Sequence, residues 1–210
     1  MSHELHDRFA KSVWGETLEQ NIRFGDFKPS YIDNDLWEYL LGDDVNNLRH
    51  MPYTAELAKQ FARYERIGGS LLELTAITHD WGEAIVGDVA LPDKIADGQD
   101  ERELSAYWQI ANHIAPDYDL SQVPEVVWGE HELSEPFNAV EYMGYCQTGI
   151  RAGKMALLLS GNVLHLGLPR KQIDGLLGGL LSLNKQVEIK NYPKLAKYAD
   201  KYPAVERIMM

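Results

Sequence analysis

Helical spacing of apolar side chains recurs along most of this chain. In residues 52–64, for example, Leu57, Phe61 and Tyr64 follow one another at intervals of four and three, so they share one face of a helix. No segment shows a convincing two-residue alternation of apolar and polar side chains, which is typical of a half-buried β-strand. The sequence therefore predicts an all-α fold.

The same spacing predicts several further helices. They cover residues 71–81, 100–114, 121–132, 136–164 and 170–187, and one or two short helices follow them. Residues 1–45 are less regular, although their aromatic side chains suit the packing of short helices. The chain has 210 residues and contains no repeat or low-complexity segment, which fits one domain. We expect a single helical bundle of about seven to nine helices.

Composition and charge exclude several classes of protein. Hydrophobic residues make up 45% of the chain, as in an ordinary globular protein, and the net charge of -12 disfavours a nucleic acid polymer as partner. Residues 155–168 form the longest apolar stretch, which is shorter than the roughly 20 residues that a membrane-spanning helix needs. The N-terminus shows no apolar secretion signal, and the single cysteine permits no internal disulfide. We expect a cytoplasmic protein with no membrane partner.

An ionisable cluster follows directly after the apolar run at residues 71–77. The sequence THDWGEAIVGD at residues 78–88 contains His79, Asp80, Glu83 and Asp88. Such groups beside a core are costly unless they are paired, hydrogen-bonded or bound to metal. On a continuous helix the first three would share one face, because they are spaced by three and four residues. The alternative interpretation is a surface cluster that caps a helix.

A metal site at this cluster would need ligands from elsewhere in the chain. Imidazole and carboxylate groups suit divalent metals, and a carboxylate left uncoordinated suits proton transfer. His50 lies just before the helix predicted at residues 52–64. Glu141 lies on a polar stripe with Tyr145, Thr148 and Arg151, spaced by four, three and three residues. Each has an alternative: His50 as a loop histidine, and Glu141 as a solvated residue or structural ion pair.

The order of these residues resembles a known family. His50, then His79-Asp80, and then the spacing His-Asp-x-x-Glu-x-x-x-Gly-Asp are similar to the motifs of HD-domain metal-dependent phosphohydrolases, in particular the 5′-deoxynucleotidase branch. The resemblance covers roughly residues 46–161, with a C-terminal helical extension at 170–210. It implies an HD-type helical domain that releases phosphate from deoxyribonucleoside 5′-monophosphates. It also implies a homodimer.

The resemblance further implies a role for each motif residue. His50, His79, Asp80 and Glu141 would bind one divalent ion, which in the family is Mn, Co, Mg, Zn or Fe. The catalytic carboxylates would be those of Glu83 and Asp88. Glu141 departs from the family pattern, in which the last ligand is an aspartate, and no aspartate lies between residues 119 and 174. The longer glutamate side chain would change the geometry of the site.

The substrate contacts are less well defined by the sequence. Arg49, Lys94 and Trp81 are candidates because they lie near the motifs. The family's N-terminal substrate-binding arginine has no clear counterpart, and Arg23, Arg49 and Arg66 stay open. Two alternative functions also stay open. One is a triphosphohydrolase or phosphodiesterase on the same scaffold, which would need more basic residues, and the other is a non-catalytic nucleotide- or metal-binding module.

Overall fold

The structure, a computed structural model, describes residues 2–87 and 99–210. Helices and turns make up these two ranges, which contain no β-strand and only an isolated bridge between Ile22 and Asn46. The prediction of an all-α fold is therefore confirmed. Two predicted site residues, Asp88 and Lys94, lie outside the described residues.

The helices are slightly more numerous than the seven to nine predicted. In chain order the described α-helices are α1 Ser2–Ala10, α2 Val13–Gln20, α3 Asn34–Leu41, α4 Asn47–Glu65, α5 Gly69–Thr78, α6 Glu83–Val86, α7 Gln99–Ile114, α8 Val123–Trp128, α9 Ser134–Ser160, α10 Arg170–Lys190, α11 Tyr192–Ala199 and α12 Pro203–Met209. Short 3-10 turns at Gly25–Phe27 and Asp43–Val45 join some of them. The estimate was low because helices as short as α6 make too few turns to show an apolar period.

The packing of α4, α5 and α9 positions the predicted metal ligands. α4 packs against α5, α9 contacts α4, and α10 packs against α9. Fully buried side chains such as Trp37, Phe61 and Leu72 fill the space between the helices. Burying an apolar side chain of this kind stabilises the fold by about 1.5–3 kcal/mol.

The start of α4 differs from the prediction. The helix begins at Asn47 because the Asn46 side chain accepts hydrogen bonds from the backbone N–H groups of Leu48 and Arg49. Pro52 lies inside this helix, where it removes one backbone hydrogen bond. His50 therefore lies in the first turn of α4 rather than before a helix.

The predicted helix through residue 81 ends earlier. α5 stops at Thr78, and residues 79–82 form tight turns that lead into α6. The N–H of Glu83 donates to the carbonyl of Asp80 at 3.0 Å, a three-residue spacing rather than the four of an α-helix. Gly82 permits this tight path, since a Cβ there would lie 2.4 Å from the carbonyl oxygen of Glu103 in α7.

The longest of the described helices is α9. It contains Glu141, Tyr145, Thr148 and Arg151, and its other faces bury apolar residues such as Met143. Within residues 2–87 and 99–210, no helix is both long enough and apolar enough to cross a membrane.

Candidate metal centre

Three separate segments bring the predicted metal ligands together. His50 comes from α4, His79 from the end of α5, and Glu141 from the N-terminal third of α9. The two histidine Nε2 atoms lie 3.2 Å apart, and each lies 3.5 Å from Glu141 Oε1. Donor atoms of all three side chains lie within 4.8 Å of one another, so this group could hold a metal ion.

Asp80 lies beside the same two histidines. Its Oδ1 is 3.0 Å from His79 Nε2, and its Oδ2 is 3.7 Å from His50 Nε2. Ligand atoms at about 2.0–2.2 Å from a tetrahedral metal ion lie roughly 3.3–3.6 Å from one another. The separations among His50, His79 and Glu141 are 3.2–3.5 Å, close to this range, so these three side chains suit one divalent ion and Asp80 lies beside them.

The hydrogen bonds of the two imidazoles fix which nitrogen is free. His50 Nδ1 lies 2.6 Å from Asp44 Oδ1, and His79 Nδ1 lies 2.9 Å from the carbonyl oxygen of Ala76. Because both partners only accept hydrogen bonds, each Nδ1 carries the proton and donates it. The two Nε2 lone pairs of neutral rings would then face each other at 3.2 Å, which is unfavourable without a proton or cation nearby.

Asp44 orients His50 by accepting the hydrogen bond from its Nδ1. Its carboxylate is buried, and Thr148 Oγ1 donates to the second oxygen at 2.5 Å. Burial opposes ionisation, but Arg23 and His50 outweigh it and lower the pKa of Asp44. Carboxylate–histidine pairs of this kind orient metal-binding imidazoles. No sequence pattern singles out Asp44 for this role, because it follows Gly42 in the less regular part of the chain.

Glu141 places a bare carboxylate oxygen in this pocket. Its Oε1 is buried and has no hydrogen-bond donor among the described residues. Burial raises the pKa of Glu141, but the facing His79 and His50 outweigh it and the net shift is downward. Burial and Arg23 in turn lower the pKa of His50, but Glu141 and Asp44 raise it to about 9. The charged form of His50 that this shift favours supplies one cation beside the Glu141 oxygen, and a divalent ion held by His50, His79 and Glu141 would supply another.

Glu83 supplies a further carboxylate, three residues after the predicted ligand Asp80. It is buried at the start of α6, and Asn47 Nδ2 donates to its Oε2 at 3.2 Å. Asn47 lies three residues before His50 on α4, so the same helix positions a metal ligand and holds Glu83. The other predicted catalytic carboxylate, Asp88, lies outside the described residues.

Arg23 is the buried cation beside this centre. Its Nη1 lies 3.5 Å from Asp44 Oδ1, and its guanidinium carbon lies 5.0 Å from the centre of the Tyr145 ring. Burial lowers the pKa of Arg23, but Tyr145, Asp44, Glu141 and Asp80 outweigh it and the net shift is upward. Arg23 therefore places a permanent positive charge close enough to two predicted ligands, Glu141 and Asp80, to interact electrostatically with both. Spacing alone did not distinguish it from the other arginines.

The other two arginine candidates lie elsewhere. Arg49 is half exposed and pairs with Glu38 at 2.9 Å. It lines a cavity of about 700 Å³ that also touches Asp44, but none of the four predicted ligands lines that cavity. Arg66 caps the far end of α4, which at 1.5 Å per residue is roughly 24 Å from His50.

Trp81 lies in the core. Its side chain is fully buried and stacks on Phe9 with ring centroids 5.0 Å apart, and Tyr107 lies on another side. It packs α1 against the turn at residues 79–82, which we call the motif turn, and presents no exposed face to a substrate. Its predicted role as a pocket wall therefore has no support in the described geometry.

Comparisons with known proteins add no relative to this picture. No protein-family model matches the chain, and searches of curated proteins and of solved structures find no significant match either. The case for a function therefore depends on the residues and geometry of the chain itself.

Proposed function

We propose that this protein is a metal-dependent phosphohydrolase of the HD-domain type, which releases phosphate from deoxyribonucleoside 5′-monophosphates. One observation carries the proposal: His50, His79, Asp80 and Glu141 converge from three segments with separations of 3.0–3.7 Å between donor atoms. The motif resemblance supplies the reaction class, and the convergence supports it because residues far apart in sequence meet as that class requires.

The four converging side chains would hold one divalent ion. When bound, the ion would act as a Lewis acid toward a phosphate oxygen of the substrate. The chain contributes the orientation: Asp44 and the carbonyl of Ala76 accept the Nδ1 protons and keep both Nε2 atoms directed into the centre. Glu141 reaches the histidines despite its extra methylene compared with aspartate.

Glu83 is the proposed proton carrier. In hydrolysis, the oxygen of water forms a bond to phosphorus, the bond to the 5′-oxygen breaks, and a proton passes from the water to the leaving oxygen. Glu83 would accept that proton and deliver it, while Asn47 fixes the carboxylate through its hydrogen bond. Asp88 would assist in the same transfer.

Arg23 is the proposed phosphate contact. It is permanently charged, buried and electrostatically close to Glu141 and Asp80. A nonbridging phosphate oxygen would have to compete with Asp44 for this guanidinium. A single buried arginine suits a monophosphate better than a triphosphate chain, which would require further cations such as Lys94.

Metal analysis followed by a nucleotide panel tests the proposal. We expect about one equivalent of a divalent metal in the purified protein and phosphate release from at least one deoxyribonucleoside monophosphate. Glu83→Gln should lower the rate by about 10²–10⁴-fold, because it removes the proton carrier and leaves a side chain of the same shape. Glu16→Gln, at an exposed position on α2, is the matched control and should leave the rate unchanged.

Several outcomes would contradict the proposal. It fails if no nucleotide yields phosphate with Mn, Co, Mg, Zn or Fe, or if Glu83→Gln retains full activity. Release of pyrophosphate or tripolyphosphate would select the triphosphohydrolase alternative. Calorimetric binding of a nucleotide without turnover would select the non-catalytic module. The proposed homodimer is tested separately by light scattering.

A further inference from the structure

A second cleft is rich in cationic side chains, in contrast to the carboxylates of the candidate metal centre. It has a volume of about 290 Å³ and lies between α9, α11 and the turn that follows α11. We call it the tyrosine–lysine cleft, and its lining residues are Glu135, Tyr142, Lys194, Lys197, Tyr198 and Lys201. None of the predicted metal ligands lines it, and neither do Glu83 and Arg23.

The cleft concentrates positive charge on a chain of net charge -12. Lys194 and Lys197 are exposed, and within the described ranges neither forms a hydrogen bond or ion pair with a carboxylate. Lys201 shares its charge with Glu135 through an ion pair. Two ammonium groups without acidic partners that border one small cavity favour an anionic ligand.

The same cleft presents aromatic surface. The rings of Tyr142 and Tyr198 are half-buried and nearly parallel, with centroids 5.9 Å apart and an angle of 24°. Lys194 Nζ lies 5.1 Å from the centre of the Tyr142 ring. Tyrosine rings stack on planar bases, and lysine ammonium groups bind phosphate oxygens. A nucleotide combines both of these features in one molecule.

We propose that the tyrosine–lysine cleft binds a nucleotide at a site separate from the candidate metal centre. The base would stack on the tyrosine pair, and the phosphate would contact Lys194 and Lys197. The volume lies at the small end of ligand pockets, which suits a mononucleotide rather than a larger cofactor. This inference does not require that the chain hydrolyses nucleotides.

Calorimetry in EDTA tests the cleft without turnover. AMP is the probe, and adenosine and inorganic phosphate represent its two parts. We expect AMP to bind more tightly than either part, and Lys194→Ala/Lys197→Ala to weaken AMP binding by about tenfold or more, since two charge-assisted contacts are lost. Lys171→Ala/Lys185→Ala on α10 removes the same charge away from the cleft and should leave the affinity unchanged.

A second variant tests the contribution of the tyrosine ring separately from that of the lysine charges. Tyr198→Leu should weaken AMP binding and leave phosphate binding unchanged, and circular dichroism checks that each variant is folded. The proposal is overturned if AMP does not bind, if Lys194→Ala/Lys197→Ala binds AMP as tightly as the unmodified chain, or if inorganic phosphate binds as tightly as AMP. Retained binding in Lys194→Ala/Lys197→Ala would place the nucleotide elsewhere.

Discussion

The candidate metal centre and the tyrosine–lysine cleft share one helix but satisfy their charges in different ways. Glu141 and Tyr142 are neighbours on α9, yet Glu141 points to two buried histidines and Tyr142 lines an exposed cavity. At the centre the two histidines and Glu83 are buried, so each of their polar atoms needs a defined partner. At the cleft, water can solvate the lysines. An unpaired group therefore indicates a ligand much more strongly at the centre than at the cleft.

The side chains of the metal centre are also better preorganised than those of the tyrosine–lysine cleft. His50 is held by Asp44, which is itself held by Thr148 and lies beside Arg23. In the cleft, Lys194 and Lys197 end in flexible chains that a ligand would have to order. We therefore expect substitutions at the centre to have larger effects than substitutions at the cleft.

The largest effect is expected for His79→Ala. It removes a predicted ligand whose Nε2 lies 3.0–3.5 Å from the other donor atoms, so metal affinity should fall by more than about 100-fold, beyond the 10–100-fold typical of a supporting residue. Metal content after dialysis measures this. His165→Ala, at an exposed histidine, should retain the metal. If His79→Ala retains one equivalent of metal, His79 is not a ligand and the proposed metal centre is wrong.

A smaller loss is expected for Asp44→Asn. The amide can still accept a hydrogen bond from His50 Nδ1, but the charge that supports the imidazole and Arg23 is gone. Metal affinity should fall by about 10–100-fold. The exposed neighbour provides a matched control, since Asp43→Asn removes the same charge and should leave the affinity near its original value. Equal effects of the two variants would indicate a general charge effect instead of support for His50.

Gly82→Ala tests how tightly the motif turn is packed. The new methyl would lie 2.4 Å from a backbone oxygen of α7, and a shift of the backbone should lower the free energy of unfolding by about 1–3 kcal/mol. Gly178→Ala is the opposite case, because its Cβ would meet nothing within 4 Å on a helix. It should raise the free energy of unfolding by up to about 1 kcal/mol. Urea denaturation measures both, and a neutral Gly82→Ala would contradict the packing argument.

The smallest effect concerns Cys146, which lies on α9 between Tyr142 and Thr148. Burial raises the pKa of its thiol to about 12, so at pH 8 the reactive thiolate is scarce in the folded chain. Labelling with a thiol reagent should be very slow in the native protein and should reach one equivalent in urea. Fast labelling of the native protein would show that α9 opens, which would weaken the contrast between a rigid centre and an adaptable cleft.

Local sequence was sufficient for the helices and for the motif residues. Apolar spacing predicted α7 and α10 closely, because long amphipathic helices repeat the pattern over several turns. It failed at the end of α5, where the turn before Glu83 depends on contact between Gly82 and α7. The polar stripe on α9 was also visible in the sequence, because side chains three and four residues apart share a face.

The partners of the metal ligands could not be predicted in this way. Asp44 and Arg23 lie in turns and loops without a period, and their roles depend on contacts with α4 and α9. Trp81 shows the same limit, since its position beside the motif suggested a pocket wall and its packing on Phe9 places it in the core.

By itself, the sequence determined an all-α chain with a cluster of histidines and carboxylates that is costly beside a core. Only the tertiary structure decided that His50, His79, Asp80 and Glu141 lie together, and that Asp44 and Arg23 lie beside them. The reason is physical: periodicity records which face of a helix is buried, whereas the distance between residues 29 to 91 positions apart is set by how the helices pack.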